Sequence, residues 1–216
     1  MVKISCVSPS NRQDGLNIVH KCLSKQTFTD FEWITCSPFI QKHLGYPDEQ
    51  VYGEPKKKEG DYYNLNKAWN FLFNKAQGEL VVSIVDYTEF EPDTLQKLWN
   101  HYIENPVSCV SGIGIQYKDG KIKWTDPRIS NQGIQMISPV DMEFRLCSVP
   151  RRALQAVGGV DEEYDKVVGV SEKEMSIRIG ALGYRFYIDQ SIVYKFYAHE
   201  DHGKEWDELY KKSVVM

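Results

Sequence analysis

The sequence predicts a single α/β domain, with a mostly parallel central sheet flanked by helices and one small antiparallel hairpin. Three stretches predict it. Residues 3–36 read strand, helix, strand, which is a βαβ unit and implies a parallel pair with a right-handed crossover. Gly78 to Leu95, GELVVSIVDYTEFEPDTL, runs from a short apolar strand through acids into a helix. Tyr117 to Ile122, YKDGKI, places Asp-Gly between two alternating runs, a strong short-range hairpin signal. At 216 residues, 42% of them hydrophobic, the chain suffices for one domain with a substantial core and is cramped for two.

In order, Lys3 to Val7 alternates as a strand that stops at Ser8-Pro9-Ser10, and Asp14 to Lys25 carries Leu16, Val19 and Leu23 at helical spacing. Phe31 to Cys36, FEWITC, is the second strand. Residues 38–63 read as irregular and include Pro55 to Gly60, whose three lysines suit a solvated loop better than a phosphate site. Asn64 to Ala76 is an amphipathic helix with Leu65, Ala68, Trp69, Leu72 and Ala76 in one stripe, while Asn66 and Asn70 share another face. Gly78 has the position of a helix-terminating glycine. Leu80 to Val85 is then a buried strand. Pro92 suits a first helical position ahead of Leu95, Leu98, Trp99, Tyr102 and Ile103.

Val107 to Ile115 is a strand containing glycines, and the hairpin follows it. Residues 124–148 are dense in polar groups, Trp124, Asp126, Arg128, Asp141, Glu143 and Arg145 among them, which can line a pocket or coat a surface. Arg151 to Val157 is a short helix stopped by Gly158-Gly159. Ser171 to Leu182 is a helix ended by Gly183, and Tyr184 to Ile188 and Ile192 to Ala198 are strands. The second of these runs into His199-Glu200-Asp201-His202, and Trp206 to Tyr210 reads as a last helix.

Composition narrows the class. A formal net charge of −4 argues against gripping nucleic acid over a broad surface. Cys6, Cys22, Cys36, Cys109 and Cys147 are odd in number, scattered and without a CxxC pair, which suits reduced thiols rather than disulfides or structural zinc. No apolar run approaches the roughly 20 residues needed to span a bilayer, and MVKISCVSPS lacks a signal-peptide core, so a cytoplasmic protein is expected.

In an open α/β sheet, ligands bind at the carboxyl ends of the strands. Asp86 stands at such an end, with Glu89 and Glu91 after it. Taken alone, the stretch reads equally as a chemical site and as a strand end decorated with solvated acids.

The order of the pieces adds a resemblance. A strand ending Ser-Pro, KQTFTDFEWI, NLNKAWNFLFNKAQGELVVSIVD, EPDTL, GGVDEEY, SEKEMSIRIGALGY and a closing H-E-D-H together resemble the inverting family 2 glycosyltransferases with the GT-A fold, over about residues 2–202. The resemblance implies a Rossmann-like sheet with a nucleotide-sugar half at 1–105, an acceptor half at 106–202 and a tail at 203–216. It implies that Ser8 and Pro9 lie against the nucleotide base and that Asn66 and Asn70 face the donor. Asp86 matches the first aspartate of the DxD-type motif, which helps hold nucleotide and metal. Glu172 matches the general base, and His199, or failing that His202, the late histidine that joins the metal.

Three departures from that pattern stand out. Thr88 stands where the second DxD aspartate belongs, Cys36-Ser37 replace the acids after the second strand, and Ser171 replaces the acid before the base. The expected chemistry is inverting transfer from a nucleotide-sugar donor, a UDP-sugar, to a hydroxyl acceptor. A departing diphosphate calls for positive charge, commonly Mn2+ or Mg2+ on hard oxygen ligands, for which Asp86, Glu89 and His199 are candidates. The base must reach the attacking hydroxyl, which Glu172, before a helix and after a glycine-containing loop, is placed to do, with Glu174 and Asp165 as rivals. Glycan or lipid-linked sugars are the expected acceptors. A modified DNA base is a further candidate, with lysines at 56–58 and 118–123 then tracking phosphates. A non-catalytic nucleotide-sugar or glycan-binding module is the reading from another class, kept open by Thr88. A sugar nucleotidyltransferase would want a glycine-rich loop after the first strand, and CVSPSNRQ has no glycine there.

Overall fold

The computed structural model describes residues 2–12, 14–37, 49–52, 65–129, 133–166 and 170–197. Ile4–Pro9 (β1), Phe31–Ser37 (β2), Glu49–Tyr52 (β3), Leu80–Ile84 (β4), Thr88–Phe90 (β5), Ser108–Lys118 (β6), Lys121–Thr125 (β7), Ile134–Ile137 (β8), Leu146–Pro150 (β9) and Arg185–Tyr197 (β10) form one sheet. Its main path runs β3-β2-β1-β4-β9-β6-β10-β5, with β7 on β6 and β8 on β10. Pairing of β1 with β2 and β4, of β2 with β3, and of β6 with β10 is parallel, so only β9 and β5 run against the other strands of that path. The mostly parallel sheet expected from the sequence is therefore observed.

Both faces are covered. In β4, Leu80, Val82 and Ile84 join one core with α1 (Asn17–Leu23) and α3 (Thr94–Glu104). Val81, on the opposite side of the pleat, joins a second core with α2 (Leu65–Lys75), α4 (Arg151–Val157) and α5 (Ser171–Ala181). Burial on both sides is why the strand reads as a continuous apolar run rather than an alternating one. Trp69 and Trp99, on the apolar stripes of α2 and α3, are core residues.

The chain winds from β1 outward through β2 and β3, then returns to lay β4 on the other side of β1. Between β1 and β4 the winding changes direction. The carboxyl ends of these two strands thus border the kind of crevice in which open α/β sheets take ligands.

Several local expectations are corrected. Gly78 is not a left-handed cap, for its φ is not positive. It is required because its backbone lies on β1: its N–H donates to Ser5 Oγ at 2.7 Å, and a Cβ there would stand 2.5 Å from the Ser5 nitrogen. Helix α3 begins at Thr94, past Pro92, and Gln26 fixes its entry by accepting the Leu95 N–H at 3.0 Å while donating to the Glu91 carbonyl at 2.9 Å. Ser8 and Pro9 close β1 instead of opening the loop.

The predicted strands at 184–188 and 192–198 are one strand, β10, with a register shift between Ile188 and Val193. Its first part pairs with β8 and its second with β5, while β6 follows along the other side. Gly112 and Gly114 in β6 make room for it, since a Cβ at Gly112 would meet the Ile192 carbonyl at 2.4 Å and one at Gly114 the Tyr194 hydroxyl at 2.8 Å. The hairpin forms as expected, with Asp119 and Gly120 at φ 51° and 71°. The predicted helix at 206–210 and the lysines 56–58 lie outside the described residues.

Candidate active site

Asp86 follows the carboxyl end of β4 and is buried, 5% exposed. Two groups from the loop after β1 hold its carboxylate. Ser10 Oγ donates to Oδ2 at 2.7 Å, and Arg12 Nη1 lies 2.9 Å from Oδ1 and 3.0 Å from Oδ2. Gly15, just before α1, closes the arrangement, because a Cβ there would stand 2.6 Å from Ser10 Oγ, 3.0 Å from Asp86 Oδ2 and 3.2 Å from the Tyr87 ring. The Gly15 carbonyl accepts the Tyr87 N–H at 2.9 Å.

Tyr87 sits at φ 56°, a left-handed conformation uncommon for a bulky residue. Burial raises its phenol above the ordinary range, the Asp86 charge adds to the rise, and Arg12 opposes it. The turn at Tyr87 delivers the chain into β5, where acids of a solvated turn or metal loop were expected. Thr88 and Phe90 face the core and pair with Phe196 and Tyr194 of β10. Glu89 occupies the opposite side of the pleat, where it accepts the Tyr197 O–H and pairs with Lys195 Nζ at 3.4 Å. The Tyr197 bond holds the Glu89 carboxyl below its usual range and pushes the Tyr197 phenol up to about 12.

Asp86 and Glu89 therefore serve different partners. Among the described residues no group of three His, Cys, Asp or Glu side chains is placed to hold a metal ion. His199 and His202 lie outside those residues. The donor set described here does not fit a metal centre: its central carboxylate is already engaged by a guanidinium and a hydroxyl, and the residue two positions on is a buried threonine.

On the other side of β4, Glu172 lies in the first turn of α5, where Ser171 Oγ donates to Oε2 at 3.2 Å. The Cys147 thiol is raised by burial, then by Cys109, with smaller rises from Glu143 and Glu172, while its hydrogen bond with Ser83 opposes them. Cys147 pairs with Ser83 near the carboxyl end of β4. Glu174 is committed elsewhere, in a two-bond pair with Arg178 at 2.6 and 2.7 Å. Arg178 in turn donates to the Val157 and Gly159 carbonyls at 2.5 and 2.9 Å, tying α5 to the Gly158-Gly159 turn.

Asn70 clamps the residue after that turn, with Nδ2 donating to the Val160 carbonyl and Oδ1 accepting the Val160 N–H, both at 2.9 Å. The Asn66 N–H donates to Asp165 Oδ1 at 2.9 Å, and Asp165 is fully buried. Both asparagines thus hold the segment that leads toward Glu172. Ser8 is buried and accepts the Trp33 indole N–H at 3.1 Å. The polar stretch at 124–148 is partly closed on itself, Asp126 binding Arg128 at 2.5 Å, while the Arg145 guanidinium lies 3.9 Å over the Phe196 ring.

Sequence reading missed Ser10, Arg12 and Gly15. The available signal was a polar Ser-Asn-Arg run at the carboxyl end of the first strand; what it lacked was any local sign that Arg12 meets a residue 74 positions away.

The sequence matches no protein-family model and no curated protein. The structure does have a likeness: it superposes on the crystal structure of GalNAc-T7 with UDP, GalNAc and Mn2+ at a TM-score of 0.69, over 93% of this chain. The fold is GT-A. Identity is 14%, and the chain spans 45% of that neighbour's length, so the likeness carries the GT-A architecture alone. No helix among the described residues is long and apolar enough to cross a membrane.

Proposed function

We propose that this chain transfers one sugar from a nucleotide-sugar donor, a UDP-sugar, to a hydroxyl acceptor with inversion. The observation that carries the reading is the meeting of Arg12 and Asp86 at the carboxyl ends of β1 and β4, at the turn-over point of a GT-A sheet. The structural neighbour, which holds UDP, supports the choice of donor.

In the proposed step the acceptor oxygen attacks the anomeric carbon as the bond to the diphosphate breaks from the opposite face. The acceptor proton passes to Glu172 and the electron pair leaves with the diphosphate. Glu172 is favoured over Glu174 because Arg178 occupies the Glu174 carboxylate, and over Asp165 because that side chain is fully buried. Residues 1–105 supply the donor side and 106–202 the acceptor side. Glycan or lipid-linked sugar acceptors are favoured over a modified DNA base by the net charge of −4. Mn2+, present in the structural neighbour, would require Asp86 to release Arg12 or other ligands to join.

A second reading is a non-catalytic GT-A module that binds nucleotide sugars, favoured by Thr88, which is fully buried where an acid would be expected to meet the donor. Donor hydrolysis and transfer across a panel of nucleotide sugars separates the two. Glu172→Gln is expected to lower transfer by about 100-fold or more while leaving UDP affinity within about threefold. Binding of a donor without turnover by the wild type under any condition would favour the module.

A further inference from the structure

The carboxylate that stands where a metal ligand is expected already holds a cation. We propose that, in the transfer reaction put forward above, on which this inference rests, the charge of the departing diphosphate is taken by the Arg12 guanidinium and not by a metal ion on Asp86, whose part is to aim Arg12.

Four observations converge. Both Asp86 oxygens are engaged, by Arg12 Nη1 at 2.9 and 3.0 Å and by Ser10 Oγ at 2.7 Å. A metal ion bound there would have to displace charge-assisted bonds, which are the stronger kind. The space beside Oδ2 is filled to the point that only glycine fits at position 15. Among the described residues no companion acid joins Asp86: Thr88 is buried, with Oγ1 3.5 Å from the Asp86 carbonyl, and Glu89 is bound to Tyr197 and Lys195.

Arg12 itself remains open. Its side chain is 30% exposed, its guanidinium carbon lies 5.8 Å from the centre of the Tyr87 ring, and its bonds to Asp86 run through Nη1. A guanidinium presents five donors in a fixed fork that matches phosphate oxygens, and it keeps its charge at any working pH. Asp86 uses Nη1 alone and so leaves most of the fork directed elsewhere.

In chemical terms the acceptor oxygen bonds to the anomeric carbon, the bond from that carbon to the diphosphate oxygen breaks, and the electron pair goes to that oxygen. Arg12 donates hydrogen bonds to the charge that appears and transfers no proton. Such a donor is fixed before the reaction by Asp86, Ser10 and Gly15, as electrostatic stabilisation of a leaving group requires.

Calorimetric titration with UDP and with uridine tests this, in EDTA and in millimolar Mn2+. Wild type is expected to bind UDP in EDTA, with Mn2+ changing the affinity by less than about threefold. Arg12→Ala should weaken UDP by about tenfold or more and leave uridine unchanged, and Arg12→Lys should recover part of the loss. Circular dichroism and a melting curve show whether each variant is folded. Tight UDP binding that appears only with Mn2+ and vanishes in Asp86→Asn overturns the inference while leaving the transferase reading intact. Equal loss of UDP and uridine in Arg12→Ala also overturns it, by making Arg12 a packing residue. Absence of nucleotide binding by wild type in either condition defeats the donor reading, and this inference with it.

Discussion

At the scale of single residues, the site depends on what a glycine permits. Gly15 does not need its freedom of φ; it needs to have no side chain, because Ser10, Asp86 and Tyr87 converge on the space a Cβ would take. Gly15→Ala is expected to lose about 1–3 kcal/mol from overpacking and to weaken UDP binding by displacing Ser10 and Asp86. Denaturant melts and UDP titration on one preparation check both, and unchanged affinity in a folded variant would mean that the cage does not set Arg12. The cysteines are legible in the same terms. All five are buried and none is in a disulfide, and burial raises Cys6, Cys109 and Cys147 well above an exposed thiol. A thiol reagent at neutral pH should therefore react slowly with the native chain and with five equivalents after unfolding.

At the scale of elements, the segment leading toward Glu172 hangs on one turn. Gly158 and Gly159 both have positive φ, but only Gly159 is also crowded, a Cβ there meeting Asn70 Oδ1 at 2.2 Å. Gly158→Ala should cost about 1–2 kcal/mol, the left-handed strain alone. Gly159→Ala should cost about 2–4 kcal/mol, because it also breaks the Asn70 clamp on Val160. Urea denaturation of the pair measures the difference, and equal losses would remove the clamp from the argument. The turn was legible because two consecutive glycines after a short apolar helix have few other uses. Strands β1, β2 and β4, helices α2 and α5 and the Asp-Gly hairpin were legible for similar reasons, since periodicity and turn chemistry are local. Strand β5 was not, because three residues carry no period and Thr88 to Phe90 becomes a strand only by pairing with β10. The same limit hid the role of Gln26, whose side chain joins the end of α1 to the start of α3. Asp86 was legible as an acid at a strand end, but its partner Arg12 was not, since ion pairing across the sheet leaves no pattern in sequence.

At the scale of the whole molecule, long-range carboxylate contacts join elements that the chain visits far apart, and they give stability a pH dependence with a definite sign. The Asp189 carboxyl is raised by burial but held lower overall by the His101 bond and the Ser191 amide, which joins α3 to the bulge of β10. Asp126 is likewise raised by burial and lowered more by Arg128, a local partner two residues on, and Glu89 is lowered chiefly by the distant Tyr197 O–H. Each folded value lies below the unfolded one, so the unfolded chain binds protons first on acidification. Their contribution is complete above an unfolded carboxyl pKa of about 4 and is lost as pH falls through the lower folded values. Tyr197 acts in the other direction: raised to about 12 by Glu89, it stabilises below its unfolded value and ceases to as pH rises through the folded one. These carboxyls and Tyr197 should thus leave the melting temperature level between about pH 5 and pH 9 and lower it on both sides, while His20, lowered by burial, adds a decline below about pH 6.5 and the raised thiols add one above about pH 8.5. Asp189→Asn should lower it at neutral pH and make the acid limb shallower, while Tyr197→Phe should make the alkaline limb shallower. The two variants act at opposite ends of β10, so melting curves across pH report separately on its pairing near α3 and its pairing with β5. An acid limb unchanged by Asp189→Asn would place the proton-linked stability elsewhere in the sheet.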